Sequence, residues 1–495
     1  MANLADEVQG VERLVRDFKR NHIDRREFMM LATAFSATAI AAACSTGGGS
    51  SSTTSSGPSD KTKTVPLYTN QNDPASLAFF GAVALAYQKS HPNVQIPVNL
   101  YDDGTAVQFL TTSFQTGHDV GIFTPPPSFV TAWVKSNLLL EIDDTVSSIG
   151  KDDFLPGTRF VINGHDYSIP YQVNQSGLWY RTDLFQAAGI KAPLATYDDL
   201  ISALKELHGK NGKIGIASGV GGDVPDVSLH CMTPYVLQSG WGYFDKNGKL
   251  TFNRDEVFAG VQRFLGVLKY TDKSLYNATY GDLVTAYISG RAAMCHYPGR
   301  VGNNVAASAP AIEAVTDFMP EPGGPFMTGK LNFGTPRGWS IYSKTAHPTE
   351  AKDFLKFMMT GQNLVDWALT VPGQILPGLK SALTMFNDPN NKSVAANKYM
   401  QKHSDWVKKI EDLVPYTVNE EIGMGGVSNN HYQFASNPNP FGDKIWKNPA
   451  IDAVMIQQVV LQNKDPNTAW KDAASQMDQV SKDFFAKNPG WKPPS

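Results

Sequence analysis

Cysteine is scarce in this chain of 495 residues: there are only three, Cys44, Cys231 and Cys295. They form no C-x-x-C-H run, so the sequence holds no thiol cluster for a structural zinc, an iron–sulfur centre or an attached haem. A G-x-G-x-x-G turn, a P-loop, an H-E-x-x-H helix and a G-x-S-x-G elbow are also missing. Asp245-x-Asn247-Gly248 begins like a calcium loop but lacks the remaining ligands and the terminal glutamate, and reads as a hairpin turn. No catalytic residue, metal or cofactor is therefore expected. An excess of one charge is absent too: the net charge is −3 with 18% charged residues, which gives no basic field for nucleic acid or anionic lipid. Nor does any apolar run look long enough to span a bilayer, which takes about 20 residues.

What is present begins with DRREFMMLATAFSATAIAAACSTGGGS, residues 24 to 50. Arg25 and Arg26 form a charged start, Phe28 to Ala43 a short and mild apolar stretch, and Ala41-Ala42-Ala43 a small-residue cleavage site. The paired arginines resemble a twin-arginine export signal, from which Asp24 and Met30 depart. Ala41-Ala42-Ala43-Cys44 resembles a bacterial lipobox, which implies a signal peptide over 1–43, lipidation of Cys44 and a Gly/Ser tether over 44–61. A twin-arginine substrate folds in the reducing cytoplasm. Cys231 and Cys295 are accordingly read as buried small hydrophobes, with a late disulfide as the alternative.

The body that follows exceeds the roughly 250–300 residues at which single cores stop growing, so two domains are expected. Val65 to Tyr68 reads as a strand, and Leu77, Phe80, Val83, Ala84 and Tyr87 mark one helix face. Val94 to Leu100, the helix face of Val107, Leu110 and Phe114, and Asp119 to Phe123 complete a βαβαβ pattern, which calls for a parallel sheet. Asn163-Gly164 and Asn247-Gly248 read as hairpin turns. After about Lys191 the alternation restarts, with Thr196 capping a helix through Leu207 and a strand at Ile214 to Ala217. The last hundred residues read as largely helical.

Eight stretches in this order, YQKSHPNVQIPV, SFQTGHDVGIF, VKSNLLLEIDD, GHDYSIPYQVNQSGLWYRTDLFQAAGI, YFDKNGKLTF, YISGRAAMCHYPGR, FMPEPGGP and GWSIYSKTAHPTEAKDFLKFM, cover most of residues 65 to 380. The body they form resembles the extracytoplasmic solute-binding proteins of ABC importers, in the group that includes maltose-binding protein. That resemblance implies an α/β, two-lobe periplasmic-binding-protein-like fold of class II, with the ligand cleft between the lobes. Crossovers would fall near Ile169 to Val173, near Gly338 to Tyr342 and just beyond Pro377. Lobe one is then 62–171 plus 338–377, and lobe two 172–337 plus 378–495. The partners implied are a small-molecule ligand and the ABC permease subunits. The protein would be a monomer held by its lipid anchor on the outer face of the cytoplasmic membrane.

Ligands in such sheets sit at the carboxyl ends of parallel strands. By that rule Asn70 follows the first strand, with a turn or cap as its alternative role. Phe123 ends the third strand where the family often places an aromatic platform, with core packing as the alternative. Tyr171 and Asn174 lie in the first crossover. In lobe two, Asp223 sits in a loop after a strand and could anchor hydroxyls or an amine, with an exposed loop charge as the alternative. Tyr297 and Arg300 follow the strand Ala292 to His296, where the family usually carries a contact residue, frequently aromatic; the arginine is a departure, with a carboxylate, phosphate or sugar hydroxyl pair as its ligand or an intraprotein ion pair as the alternative. Trp339 adjoins the second crossover, and Gln374 lies in the loop returning to lobe two. Trp241 is assigned to packing. Aromatic rings suit the C–H faces of pyranoses, and planar donor–acceptor groups suit their hydroxyls. An oligosaccharide or related sugar is therefore the expected ligand. The alternatives are a polyamine, a glycerophosphodiester or a peptide, or an exported enzyme activity.

Overall fold

The computed structural model describes residues 62–492, apart from 222–224, 325–330, 426, 429–430 and 433–436. The leader, Cys44 and the tether lie outside the described residues, as does Asp223. Among the described residues no helix is long and apolar enough to cross a membrane.

Two sheets organise the chain. In the first, Leu67–Thr69 lies between Val98–Leu100 and Ile122–Phe123, parallel to both. This is the βαβαβ pattern, with helices Pro74–Ser90 and Ala106–Thr116 as the connections. The strand expected over Val94 to Leu100 is broken, since Pro97 separates Val94–Gln95 from Val98–Leu100. The second sheet has the order Ile214–Ala217, Ala292–His296, Leu178–Arg181, Thr316–Met319. Its first two strands are parallel, and Leu178–Arg181 runs against both of its neighbours.

Two long antiparallel strands, Ile169–Gln175 and Asn332–Ile341, join the halves. The second of them continues into the first sheet, pairing Ser340 with Phe123. A third segment runs beside the first strand, where the Val173 N–H donates to the Leu376 carbonyl at 3.1 Å. On the opposite edge of Asn332–Ile341 lies Thr417–Val418, parallel to Asn332 and Phe333. The floor between the two sheets thus carries, in order, the Leu376 segment, Ile169–Gln175, Asn332–Ile341 and Thr417–Val418.

Local signals explain several elements. Thr196 and Asp199 form a reciprocal capping box at the start of Tyr197–Leu207. Asn163 and Gly164 both take positive φ between the paired strands Val161–Ile162 and His165–Asp166, as a two-residue hairpin turn demands. Asp245 accepts from the N–H groups of Asn247 and Lys249 and so holds the second hairpin turn. Cys231 and Cys295 are buried and unpaired, and burial pushes both thiols above their usual range. Trp241 packs flat beneath the Arg254 guanidinium, 3.8 Å from its ring centroid. The end of the chain is less helical than expected. Between helices Lys398–Glu411 and Ile451–Gln462, the chain forms short strand pairings such as Gly423–Met424 with Asn437–Pro438.

Candidate functional site

The middle of the floor carries a charged cluster. Asp226 opens the helix Pro225–Cys231, and its Oδ1 accepts from Arg337 Nη2 at 2.7 Å. Arg337 stands on the second crossover strand, so the ion pair ties that strand to the helix. The Tyr297 hydroxyl donates to the other carboxylate oxygen of Asp226. Four residues along the helix from Asp226, His230 sits with Nε2 3.6 Å from Asp226 Oδ1 and Nδ1 2.7 Å from the Ser176 hydroxyl. The Tyr297 ring packs against Tyr280 at 4.9 Å and against His230 at 5.4 Å.

Burial alone would raise the Asp226 carboxyl. The Arg337 guanidinium, His230 and the Tyr297 hydroxyl outweigh that effect and hold it below the usual carboxylate range. For His230 burial wins over the attraction of Asp226, and its pKa is pushed down to about 4. Burial, reinforced by Asp226, raises the Tyr297 phenol well above its ordinary value, so it remains a donor. At neutral pH the cluster therefore holds one anion, one cation and a neutral imidazole.

A second group bridges the lobes. Arg300 begins the helix Arg300–Ser308, and its backbone N–H donates to Gln374 Oε1 at 3.1 Å. Its guanidinium reaches away from that helix to the loop after the first strand. There Nη2 donates to Gln71 Oε1 at 3.1 Å, and Nη1 lies 3.5 Å from Asp73 Oδ2. Asp73 is also the N-cap of Pro74–Ser90, accepting from the Ser76 N–H, which fixes its carboxylate. Gln71 Nε2 donates in turn to Asn70 Oδ1 at 3.1 Å. Gln71 thus links Asn70 to Arg300, and Gln374 joins them through the Arg300 backbone N–H. Tyr297, three residues before Arg300, belongs to the neighbouring Asp226 group.

Other candidates are placed elsewhere. Phe123 is fully buried against Phe114 and Trp133, so the core reading replaces the platform reading. Tyr171 and Trp339 are fully buried as well, 5.4 Å apart, and pack on Trp367 and Phe80 respectively. The Trp367 Nε1–H donates to the Tyr171 carbonyl, which seals the group. Asn174 is spent inside the crossover pair, its Oδ1 accepting from the Thr335 N–H at 2.8 Å. Tyr171, Asn174 and Trp339 pack between the crossover strands and Phe123 packs in the first sheet's core, and all four side chains are buried.

Asp226, Arg337, His230, Gln71 and Asp73 were missed. The spacing of Asp226 and His230, i and i+4 after a proline, was a usable signal, since it sets an acid and a base on one helix face. Arg337 falls one residue short of the expected second crossover. For metals, one set of suitable side chains converges among the described residues, Glu141, Asp143 and His165. They are already engaged with each other and with the Asp166 N–H, and they lie exposed or partly exposed.

A profile of the family described as bacterial extracellular solute-binding protein matches residues 71–363. An uncharacterised ABC transporter extracellular-binding protein of Pyrococcus horikoshii is 25% identical over 326 residues, 63% of this chain and 71% of that one. An arabinooligosaccharide-binding protein of Halalkalibacterium halodurans is 24% identical over 255 residues, 48% of this chain and 53% of that one. Among solved structures, a solute-binding protein of Thermotoga lettingae bound with α-D-tagatose superposes with a TM-score of 0.69 at 16% identity. That likeness covers 85% of this chain and all of the other, and it is a likeness of fold.

Proposed function

The chain belongs to the bacterial extracellular solute-binding proteins, an exported family, and on that premise we propose that it binds an uncharged carbohydrate and delivers it to the permease of an ABC importer. The observation that carries this reading is the charge matching within the two described interlobe groups. Asp226 is matched by Arg337 and Asp73 by Arg300, while His230 stays neutral. A polyamine needs unmatched carboxylates, and a phosphodiester needs unmatched cations or bare N–H groups. A sugar asks instead for planar groups that donate and accept together, beside an aromatic face. Gln71, Gln374, Arg300 and Tyr297 supply those groups. The ligand names of the arabinooligosaccharide-binding and tagatose-bound relatives agree with the same chemistry.

The expected cycle is closure of the two lobes about the crossovers. The lobes are proposed as 62–171 plus 338–377 and 172–337 plus 378–495. We propose a monomer, tethered through lipidation of Cys44 to the outer face of the cytoplasmic membrane. Thermal denaturation in the presence of sugars, sugar alcohols, polyamines, phosphodiesters and peptides tests the reading. A neutral polyhydroxy compound should raise Tm. Stabilisation by a polyamine or phosphodiester alone would replace it.

A further inference from the structure

Tyr297 is the inner member of a pair of rings. It is 4% exposed, its hydroxyl is engaged by Asp226, and its ring is flanked by His230 at 5.4 Å and Tyr280 at 4.9 Å. Tyr280 is the outer member, partly exposed, and it opens the helix Tyr280–Ile288. A reciprocal capping box sets that helix start. The Thr279 hydroxyl accepts from the Asp282 N–H, and the Asp282 carboxylate accepts from the Thr279 N–H at 2.9 Å. The next residue, Gly281, is exposed, and a Cβ there would meet nothing nearer than the Thr279 hydroxyl at 3.8 Å. Among the described residues, no other element closes over this end of the helix at that position.

The tip of the ring is held as well. Asn304 Nδ2 donates to the Tyr280 hydroxyl, and Asn304 stands one helical turn beyond Arg300 on Arg300–Ser308. Burial pushes the Tyr280 phenol up to about 12; Arg300 works against that rise, and Asp73, beside the first sheet, adds to it. The hydroxyl therefore lies within reach of both ends of the Arg300–Asp73 bridge, the contact that joins the two halves of the molecule. The ring is fixed at its backbone by the cap, on one side by Tyr297 and at its tip by Asn304. What it leaves to solvent is the side turned away from Tyr297.

We infer that Tyr280 is the stacking platform of the ligand site, with Tyr297 as the ring behind it, and that it selects a cyclic sugar over an acyclic sugar alcohol. The inference rests on the carbohydrate reading above and narrows its ligand class. A ring held at three points favours a partner that is already flat. One face of a pyranose carries a patch of C–H groups that lies on an aromatic ring without rearrangement. An open-chain hexitol must freeze several rotatable bonds to present the same patch, and that ordering costs affinity. Arg300 donates, and Asn304 donates and accepts, which suits the hydroxyls on the rim of a sugar seated there.

The test is a calorimetric titration of the full chain with hexopyranoses, their methyl glycosides and linear oligosaccharides, each beside the hexitol of the same configuration. The best cyclic sugar should bind at least about tenfold more tightly than its hexitol. Tyr280→Leu should weaken the cyclic sugar by at least about tenfold and the hexitol by less, so that the preference collapses. Tyr280→Phe keeps the ring, frees its tip from Asn304, and should lose less than Tyr280→Leu. A hexitol that binds the parent as tightly as the matching cyclic sugar would overturn the platform while leaving the carbohydrate reading intact, and this comparison needs no variant to fold. A preference unchanged in Tyr280→Leu would overturn it in the same way. Binding of no member of the series would remove both.

Discussion

Two clusters stand on the same crossover strand, two residues apart, and have opposite characters. Around Trp339 the neighbours are Phe80 and Tyr171, with Trp367 behind them, and the group is closed to solvent. Around Arg337 the neighbours are Asp226, Tyr297 and His230, and the contacts are ionic or hydrogen-bonded. In a regular strand residues i and i+2 share a face. Here the register shifts between Arg337 and Gly338, and a Cβ on Gly338 would lie 2.0 Å from the Ser168 hydroxyl. The irregularity inserts Tyr171 as an extra residue in the facing strand Ile169–Gln175 and bends the pair where the second strand passes from the Arg337 cluster to the Trp339 cluster. The dry packing around Trp339 and the charged cluster proposed to meet the ligand thus lie on either side of that irregularity.

The largest effect expected from breaking this division is on stability. Trp339→Ala should lower the unfolding free energy by about 3–5 kcal/mol, read from denaturant melts, with any loss of binding following the loss of folded protein. A stable variant that no longer binds would place Trp339 in the cleft after all. Next is pH. His230 binds its proton less tightly in the folded state, near 4, than an unfolded imidazole near 6.5. Between those values the unfolded chain carries the extra proton, so stability rises with pH and is lost as pH falls through the window. That amounts to about 3 kcal/mol. His230→Gln should flatten the slope of the unfolding midpoint between pH 6.5 and 4, and an unchanged slope would show that other groups carry it.

Smaller effects sharpen the ligand side. Tyr297→Ala should weaken ligand affinity at least tenfold, about 1.4 kcal/mol, while unfolding cooperatively and at a higher denaturant concentration than Trp339→Ala. Unchanged affinity in calorimetry removes Tyr297 from the site. Arg300→Gln should cost stability no more than about 1 kcal/mol, as partly exposed ion pairs do. Its effect belongs in the distribution between open and closed lobes. Small-angle scattering without ligand should show a larger radius of gyration than for the parent, and an identical radius would mean that the Arg300 bridge does not hold the lobes.

Much of the fold was legible. The apolar spacing of Leu77, Phe80, Val83, Ala84 and Tyr87 gave a helix whose buried face includes all but the partly exposed Leu77, and Thr196 with Asp199 marked a helix start where both side chains cap. Turn chemistry located the two hairpins. The site was half legible, because the strand-end rule finds backbone positions and is blind to facing. It selected Tyr297, whose hydroxyl donates to Asp226, and Arg300, whose guanidinium reaches Gln71 and Asp73. It also selected Phe123, whose side chain turns into the first lobe's core, and Trp339, which packs on Tyr171 and Phe80, contacts made far along the chain that no local pattern announces. The partners of Arg300 come from 227 and 229 residues away in the chain, a separation beyond any local signal.

The central claim is that the cleft's charges are matched within the protein and its ligand is neutral. The direct test is calorimetric affinity for the best neutral sugar and for a polyamine and a glycerophosphodiester, each at low and high salt. The account predicts binding of the sugar alone, with a Kd that does not change with ionic strength. A charged ligand that binds more tightly than any sugar, and weakens as salt rises, would contradict it.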